Sequence, residues 1–87
     1  MINFAYLLRC ADGSLYAGWT NDLDKRLAAH NEGKGAKYTR GRRPVALAWA
    51  REYPTKSEAM AMEARLKRLP KAKKEALAAA WPENDAE

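Results

Sequence analysis

The pair Asp12-Gly13, set between two short apolar runs, constrains this chain more than any other local feature. Upstream stand Ile2-Asn3-Phe4-Ala5-Tyr6-Leu7-Leu8-Arg9-Cys10, and downstream the stretch from Leu15 to Thr20 is equally rich in apolar and aromatic residues. An Asp-Gly pair bounded in this way signals a hairpin, because glycine accepts the positive φ of the tight turns that join antiparallel strands. The chain therefore begins with two antiparallel strands. Their register stays open. A two-residue turn sends Tyr6 and Tyr16 to opposite faces of the hairpin, whereas a three-residue loop or a bulge puts them on the same face. Gly18, just after Tyr16-Ala17, fits either a bulge or a close backbone approach.

The later elements follow from capping and periodicity. Thr20-Asn21-Asp22 offers a helix N-cap, and Leu23, Leu27 and His30 share one helical stripe before Gly33 ends it. Residues 45–53 alternate, with Val45, Leu47, Trp49, Arg51 and Tyr53 set against Ala46, Ala48, Ala50 and Glu52, and Pro54 closes this third strand. Ser57 reads as the cap of a second helix with the stripe Ala59, Met62, Leu66 and Leu69. Pro70 breaks that helix and opens a last one, which runs to about Trp81 and stops at Pro82. The order is β-β-α-β-α-α, an α+β domain. Eighty-seven residues leave no room for a second core, so residues 1–82 are expected to form one domain and 83–87 an acidic disordered tail. Because 18 of the 41 apolar residues are alanines, aromatics must fill the core, with Trp19 and Trp49 inside and Trp81 packing the last helix.

Cys10 is the only cysteine and His30 the only histidine, which excludes an internal disulfide and a Cys/His zinc cage. No window has the uninterrupted apolar length of a membrane span, and the first residues lack the basic start of a secretory signal. The expected compartment is the cytoplasm. The net charge is +5, and residues 34–56 carry seven positive charges against one negative. Lys34, Lys37, Arg40, Arg42 and Arg43 are interleaved there with Gly33, Gly35, Gly41 and Tyr38, the pattern of a mobile basic loop. Such a stretch either meets a polyanion or is simply solvated.

Three placements go beyond packing. Glu63 falls about 40° from Ala59 on the helical wheel, on the margin of the apolar stripe, where an unpaired carboxylate would be costly. One reading is an ion pair with Lys67 at i+4; the other is a metal ligand facing a cleft. Arg26 and His30 share a helix face at i, i+4. A lone histidine near an apolar stripe often only packs, yet this pairing suits a phosphate, since guanidinium forks the oxygens and imidazole moves a proton. Tyr6 and Tyr16, on neighbouring strands, are either cross-strand packing partners or a pair of hydroxyls near one site.

Read in order, Tyr6, Tyr16-Ala17-Gly18, Arg26-Leu27-Ala28-Ala29-His30-Asn31 and Glu63 resemble the GIY-YIG nuclease family. The namesake tripeptides stand here as Phe4-Ala5-Tyr6 and Tyr16-Ala17-Gly18, the Arg-Leu-x-x-His-Asn run matches outright, and the stretch from Ser57 to Glu63 resembles the family's glutamate helix. Lys37-Tyr38-Thr39 followed by Pro44 is similar to the family's connection into its third strand. The resemblance spans residues 2 to about 77 and is strongest to the small stand-alone bacterial members.

It implies a three-stranded antiparallel sheet flanked by helices, and an endonuclease that hydrolyses phosphodiester bonds with one divalent metal, Mg²⁺ or Mn²⁺. By the same resemblance Glu63 holds the metal, Arg26 stabilises charge on the phosphoryl oxygens, and Tyr6, Tyr16 and His30 position and deprotonate the attacking water. Lys34, Lys37, Tyr38, Arg40, Arg42 and Arg43 then hold the nucleic-acid backbone, with Tyr38 stacking on a base. DNA is the expected substrate ahead of RNA, in branched or single-stranded form and in a setting such as DNA repair. With no room for a reader domain, specificity is expected from substrate shape, a homodimer or a protein partner. Two competing readings are a nucleic-acid-binding module with this fold but little turnover, and an interaction domain whose basic loop meets an acidic protein.

Overall fold

The chain turns at Asp12-Gly13 through a three-residue loop. In the computed structural model, which describes residues 2–82, strands β1 (Asn3–Arg9) and β2 (Leu15–Thr20) pair antiparallel. Cys10 N–H donates to Ser14 C=O and Gly13 N–H donates to Cys10 C=O, which closes the loop, and Gly13 takes a φ of +87°. That is the three-residue hairpin loop with glycine in the left-handed region. Tyr6 now lies opposite Gly18 and Leu8 opposite Tyr16, so both tyrosines emerge on one face of the sheet.

Five further elements follow: α1 (Leu23–Asn31), α2 (Lys37–Arg40), β3 (Ala46–Tyr53), α3 (Lys56–Arg68) and α4 (Lys71–Ala80). The strand order is β2-β1-β3, antiparallel throughout. As the central strand, β1 is covered on both sides, and Ala5, Tyr6, Leu7 and Leu8 are all buried. Ala5 and Leu7 join Leu15, Ala17, Trp49 and Leu66 on the face covered by α3 and α4, where Trp81 also packs. Tyr6 and Leu8 join Cys10 and Val45 on the other face, against Leu23 and Leu27 of α1. The result is the expected α+β layering, a three-stranded antiparallel sheet between helices. Among the described residues no helix is long and apolar enough to cross a membrane. The acidic stretch 83–87 lies outside the described residues.

Three local readings change. The strict alternation expected for β3 is interrupted, because Leu7 pairs with Trp49 while Leu8 pairs with Leu47, leaving Ala48 as an extra residue. A bulge of this kind turns consecutive side chains to the same side. It sends Ala48 and Trp49 towards α3, while Leu47 and Val45 stay on the α1 face. The cap of α3 is Thr55, whose hydroxyl accepts from Glu58 N–H, and not Ser57. Trp19 is only half-buried, with the Lys56 ammonium 5.3 Å from its ring centroid.

The basic stretch is not a mobile loop. Its centre winds into α2, and Arg42 fastens it to the hairpin turn. The Arg42 guanidinium donates to Asp12 Oδ2 at 2.9 Å and to Tyr38 C=O at 2.7 Å, while Arg42 C=O accepts from Ala11 N–H at 2.8 Å. Hydrogen bonds from Ser14, with the Arg42 pair, hold the Asp12 carboxyl below its usual range.

The hairpin is tied to α4 as well. Arg9 forks Glu75 with two contacts of 2.6 Å, and this pairing, seconded by Lys71, lowers the Glu75 carboxyl to about 2. A carboxylate depressed on folding stabilises the fold at pH above its unfolded value, here 4.5, and loses that contribution as pH falls towards the folded value. Urea midpoints of wild type and Glu75→Gln should therefore differ at neutral pH and converge as pH falls from 4.5 towards about 2. A gap that stays constant on acidification would show that the ion pair does not hold α4 to the hairpin.

Candidate active site

On the α1 face the two strands of the hairpin and α1 bring four of the anticipated residues together. Asp22 caps α1 by accepting from Lys25 N–H at 3.1 Å, which fixes the rotation of the helix and points His30 at the sheet. The His30 side chain is fully buried. Its Nε2 lies 3.0 Å from the Tyr6 hydroxyl, and its Nδ1 lies 2.9 Å from Thr39 Oγ1 on α2. Arg26, one turn before His30, directs Nε towards the same Tyr6 oxygen at 3.5 Å and donates to Gly35 C=O at 3.4 Å. The Tyr16 ring meets the imidazole edge-on, with centroids 5.4 Å apart at 62°.

Two glycines make room for this packing. A Cβ at Gly18 would fall 2.5 Å from Tyr6 Cζ, and one at Gly35 would fall 2.6 Å from His30 Cγ. No real side chain tolerates such separations. Gly18 therefore serves close approach and not a bulge, leaving the Tyr6 hydroxyl lying against the β2 backbone.

The electrostatics favour neutral groups. Burial, reinforced by the Arg26 charge, holds the His30 imidazole below its ordinary range, so it is neutral at pH 7. Burial raises the Tyr6 hydroxyl, opposed by the hydrogen bond and charge of Arg26. The resting pair is thus a protonated tyrosine against a neutral histidine. Arg26 is half-buried and borders a cleft of about 250 Å³, lined also by Thr20, Asn21, Asp22, Lys25 and Ala29.

Glu63 comes from the opposite layer. It sits on α3, which packs mainly against β2 and β1, and its carboxylate charge bears on the Tyr6 hydroxyl. Its Oε2 lies 3.2 Å from Lys67 Nζ, the anticipated i, i+4 pair, with about a fifth of the Glu63 side chain exposed. Among the described residues no three metal-binding side chains cluster. A single, partly solvated carboxylate is a donor set that suits a hard cation retaining most of its water, as Mg²⁺ does.

The basic residues divide. Arg42 is committed to Asp12 and Tyr38, and Arg43 donates to Arg40 C=O at 2.9 Å and Asn31 C=O at 3.3 Å. Lys34 lies 3.8 Å from Glu32. Lys37 and Arg40 are exposed, and no ion pair engages them among the described residues. The Tyr38 ring stacks with Tyr16 at 5.6 Å and has the Arg42 guanidinium 3.9 Å from its centroid. The ring is nevertheless exposed, so base stacking by Tyr38 stays a proposal.

Two residues that support the site stood in the sequence only as members of longer matching runs, with no role read for them. Thr39 stood in the sequence as one residue of a tripeptide, but it is buried against His30. Asn31 clamps α1 to the start of β3, its Oδ1 accepting from Val45 N–H at 2.7 Å and its Nδ2 donating to Val45 C=O at 3.0 Å. Both act across more than five residues of chain, where spacing rules for helices and strands say nothing.

Comparison with known proteins bears on this geometry. The sequence profile described as the GIY-YIG catalytic domain matches residues 2–76. A UPF0213 protein of Bacillus velezensis is 63% identical over 73 residues, covering 84% of this chain and 74% of the relative. Another, of Halobacterium salinarum, is 50% identical over 76 residues, covering 87% and 99%. The solution NMR structure of a UPF0213 protein from Bacillus halodurans superposes with a TM-score of 0.59 at 47% identity, covering 93% of this chain and 86% of the other.

Proposed function

The chain belongs to the GIY-YIG family, a nuclease family, and on that premise we propose that it is a divalent-metal-dependent endonuclease acting on DNA, selective for branched or single-stranded forms. The observation that carries this reading is the Tyr6 hydroxyl held between the Arg26 guanidinium and the neutral His30 imidazole. A buried tyrosine in a purely structural role needs one hydrogen-bond partner. A tyrosine paired with a base and faced by a fixed positive charge is arranged to give up a proton.

The residues then act as follows. Tyr6 passes its proton to His30 Nε2 while its oxygen takes one from the attacking water. The resulting hydroxide attacks phosphorus as the bond to the leaving oxygen breaks; that oxygen takes a proton from solvent, and His30 afterwards releases its extra proton back through Tyr6 to solvent. Because burial keeps the Tyr6 proton in place at rest, the two transfers occur together, without a preformed tyrosinate. Arg26 neutralises charge gathering on the phosphoryl oxygens. Tyr16 braces the imidazole edge-on and helps position the water. Glu63 would hold Mg²⁺ or Mn²⁺, which would supply Lewis-acid stabilisation of the phosphate and the leaving oxygen.

Lys37 and Arg40, with Lys34, offer the exposed positive charge that would follow a phosphate backbone. Arg42 and Arg43 would contribute through the shape they give the loop. A contact of this kind supplies affinity and salt dependence but reads no sequence. Target choice would come from substrate shape, which such contacts can follow.

Incubating the purified protein with labelled single-stranded, duplex, flap and branched DNA and with RNA, in Mg²⁺ and in EDTA, tests the reading. The expected result is metal-dependent shortening of at least one DNA form. Binding across the set with every strand left intact would overturn it and leave a nucleic-acid-binding module with the nuclease fold.

A further inference from the structure

We infer that Thr39 sets the tautomer of His30, so that α2 decides which imidazole nitrogen is available to Tyr6. The hydroxyl of Thr39 has one proton to give. It donates to Ala36 C=O at 3.1 Å, on the residue that precedes α2. Towards His30 Nδ1, 2.9 Å away, Thr39 Oγ1 can then only accept, which requires the proton on Nδ1. Nε2 is left with its lone pair facing the Tyr6 hydroxyl at 3.0 Å.

The opposite arrangement is poorer. With the proton on Nε2, Thr39 would have to turn its own proton to Nδ1 and abandon the Ala36 carbonyl. The Tyr6 oxygen would also receive the Nε2 proton while Arg26 Nε–H points at the same atom. All the contacts are satisfied together only by the line Arg26 to Tyr6 to His30 to Thr39 to Ala36.

Position reinforces chemistry. Thr39 is fully buried and its branched side chain has few rotamers, so the hydroxyl has little freedom to swing. Gly35 lies against the imidazole on one side and the edge of the ring meets Tyr16, so the ring cannot rotate to exchange its nitrogens. Thr39 touches neither substrate nor reacting atoms. It is a positioning residue, and its consequence for catalysis rests on the nuclease reading proposed above.

The test uses the whole chain and a property that needs no activity. His30 is the only histidine, so a long-range proton–nitrogen NMR spectrum contains a single imidazole. Wild type should show a protonated Nδ1 and a pyridine-like Nε2. Thr39→Val, similar in shape but without the hydroxyl, should lose that pattern, and Thr39→Ser should restore it. On a substrate that the wild type cuts, Thr39→Val should lower kcat about 10- to 100-fold, the scale seen when the hydrogen-bond partner that fixes the tautomer of a metal-bound histidine is removed. KM should stay within about twofold, and Thr39→Ser should recover most of the rate. A wild-type imidazole protonated on Nε2 overturns the inference, as does a Thr39→Val spectrum unchanged from wild type. Because the spectrum is independent of cutting, an inactive wild type with the expected tautomer would count against the nuclease reading alone.

Discussion

Tyr6→Phe should reduce cleavage about 10²- to 10⁴-fold, the range associated with loss of a positioned proton-transfer group. The ring fills the same space in the α1-side core, so packing is preserved. What disappears is the oxygen that faces both Arg26 and His30. Leaving His30 Nε2 without a donor should cost about 1–3 kcal/mol of stability, detectable as a lower urea midpoint but compatible with a folded protein. Nucleic-acid affinity should hardly move, since the exposed Lys37 and Arg40 that would follow the phosphate backbone are untouched. A variant that binds and cuts like wild type would remove Tyr6 from the chemistry and leave it a core residue with a satisfied hydroxyl.

The second large effect falls on the other side of the sheet. Glu63→Gln keeps the shape of the side chain and removes its charge, and cleavage should fall about 10³-fold or more, roughly 4 kcal/mol of transition-state stabilisation. Stability should change by less than about 1 kcal/mol, because the Lys67 pair is partly exposed. Lys67→Ala breaks the same ion pair from its other end and separates the two readings of this glutamate. If Glu63 serves only the pair, both variants behave alike. If it holds a metal, Lys67→Ala still cuts and Glu63→Gln does not.

Much of the fold was legible because it is encoded locally. The hairpin, the capped α1 and the stripe Ala59, Met62, Leu66 and Leu69 of α3 each declare themselves within a few residues. What sequence left open depended on geometry between segments. The parity of Tyr6 and Tyr16 turned on whether the loop closed over two residues or three, a difference set by the Cys10–Ser14 hydrogen bond. The extra residue Ala48 in β3 satisfies a sheet whose two faces both need large side chains, and alternation alone carries no trace of it. Helix α2 has one turn and no side-chain cap, so it lacked the usual start signal. Its order comes from Arg42 and Asp12, 30 positions apart.

The candidate site divides in the same way. Tyr6, Tyr16, Arg26, His30 and Glu63 were nameable from a resemblance in their order along the chain. That Tyr6 and His30 would meet across 24 residues, with Thr39 behind the imidazole, was visible only once α1 lay on the sheet. The glycines at 18 and 35 carry a related lesson. Their value is the room they leave for the Tyr6 and His30 rings, which no local propensity expresses.

The most direct measurement compares binding and single-turnover cutting of one labelled DNA by wild type and Glu63→Gln, with Mg²⁺ and with EDTA. The expected result is equal binding by the two proteins, cutting by wild type in Mg²⁺ alone, and none by the variant. Equal cutting by both proteins, or tight binding with no cutting by either, would contradict the assignment of this site as a metal-dependent phosphodiesterase.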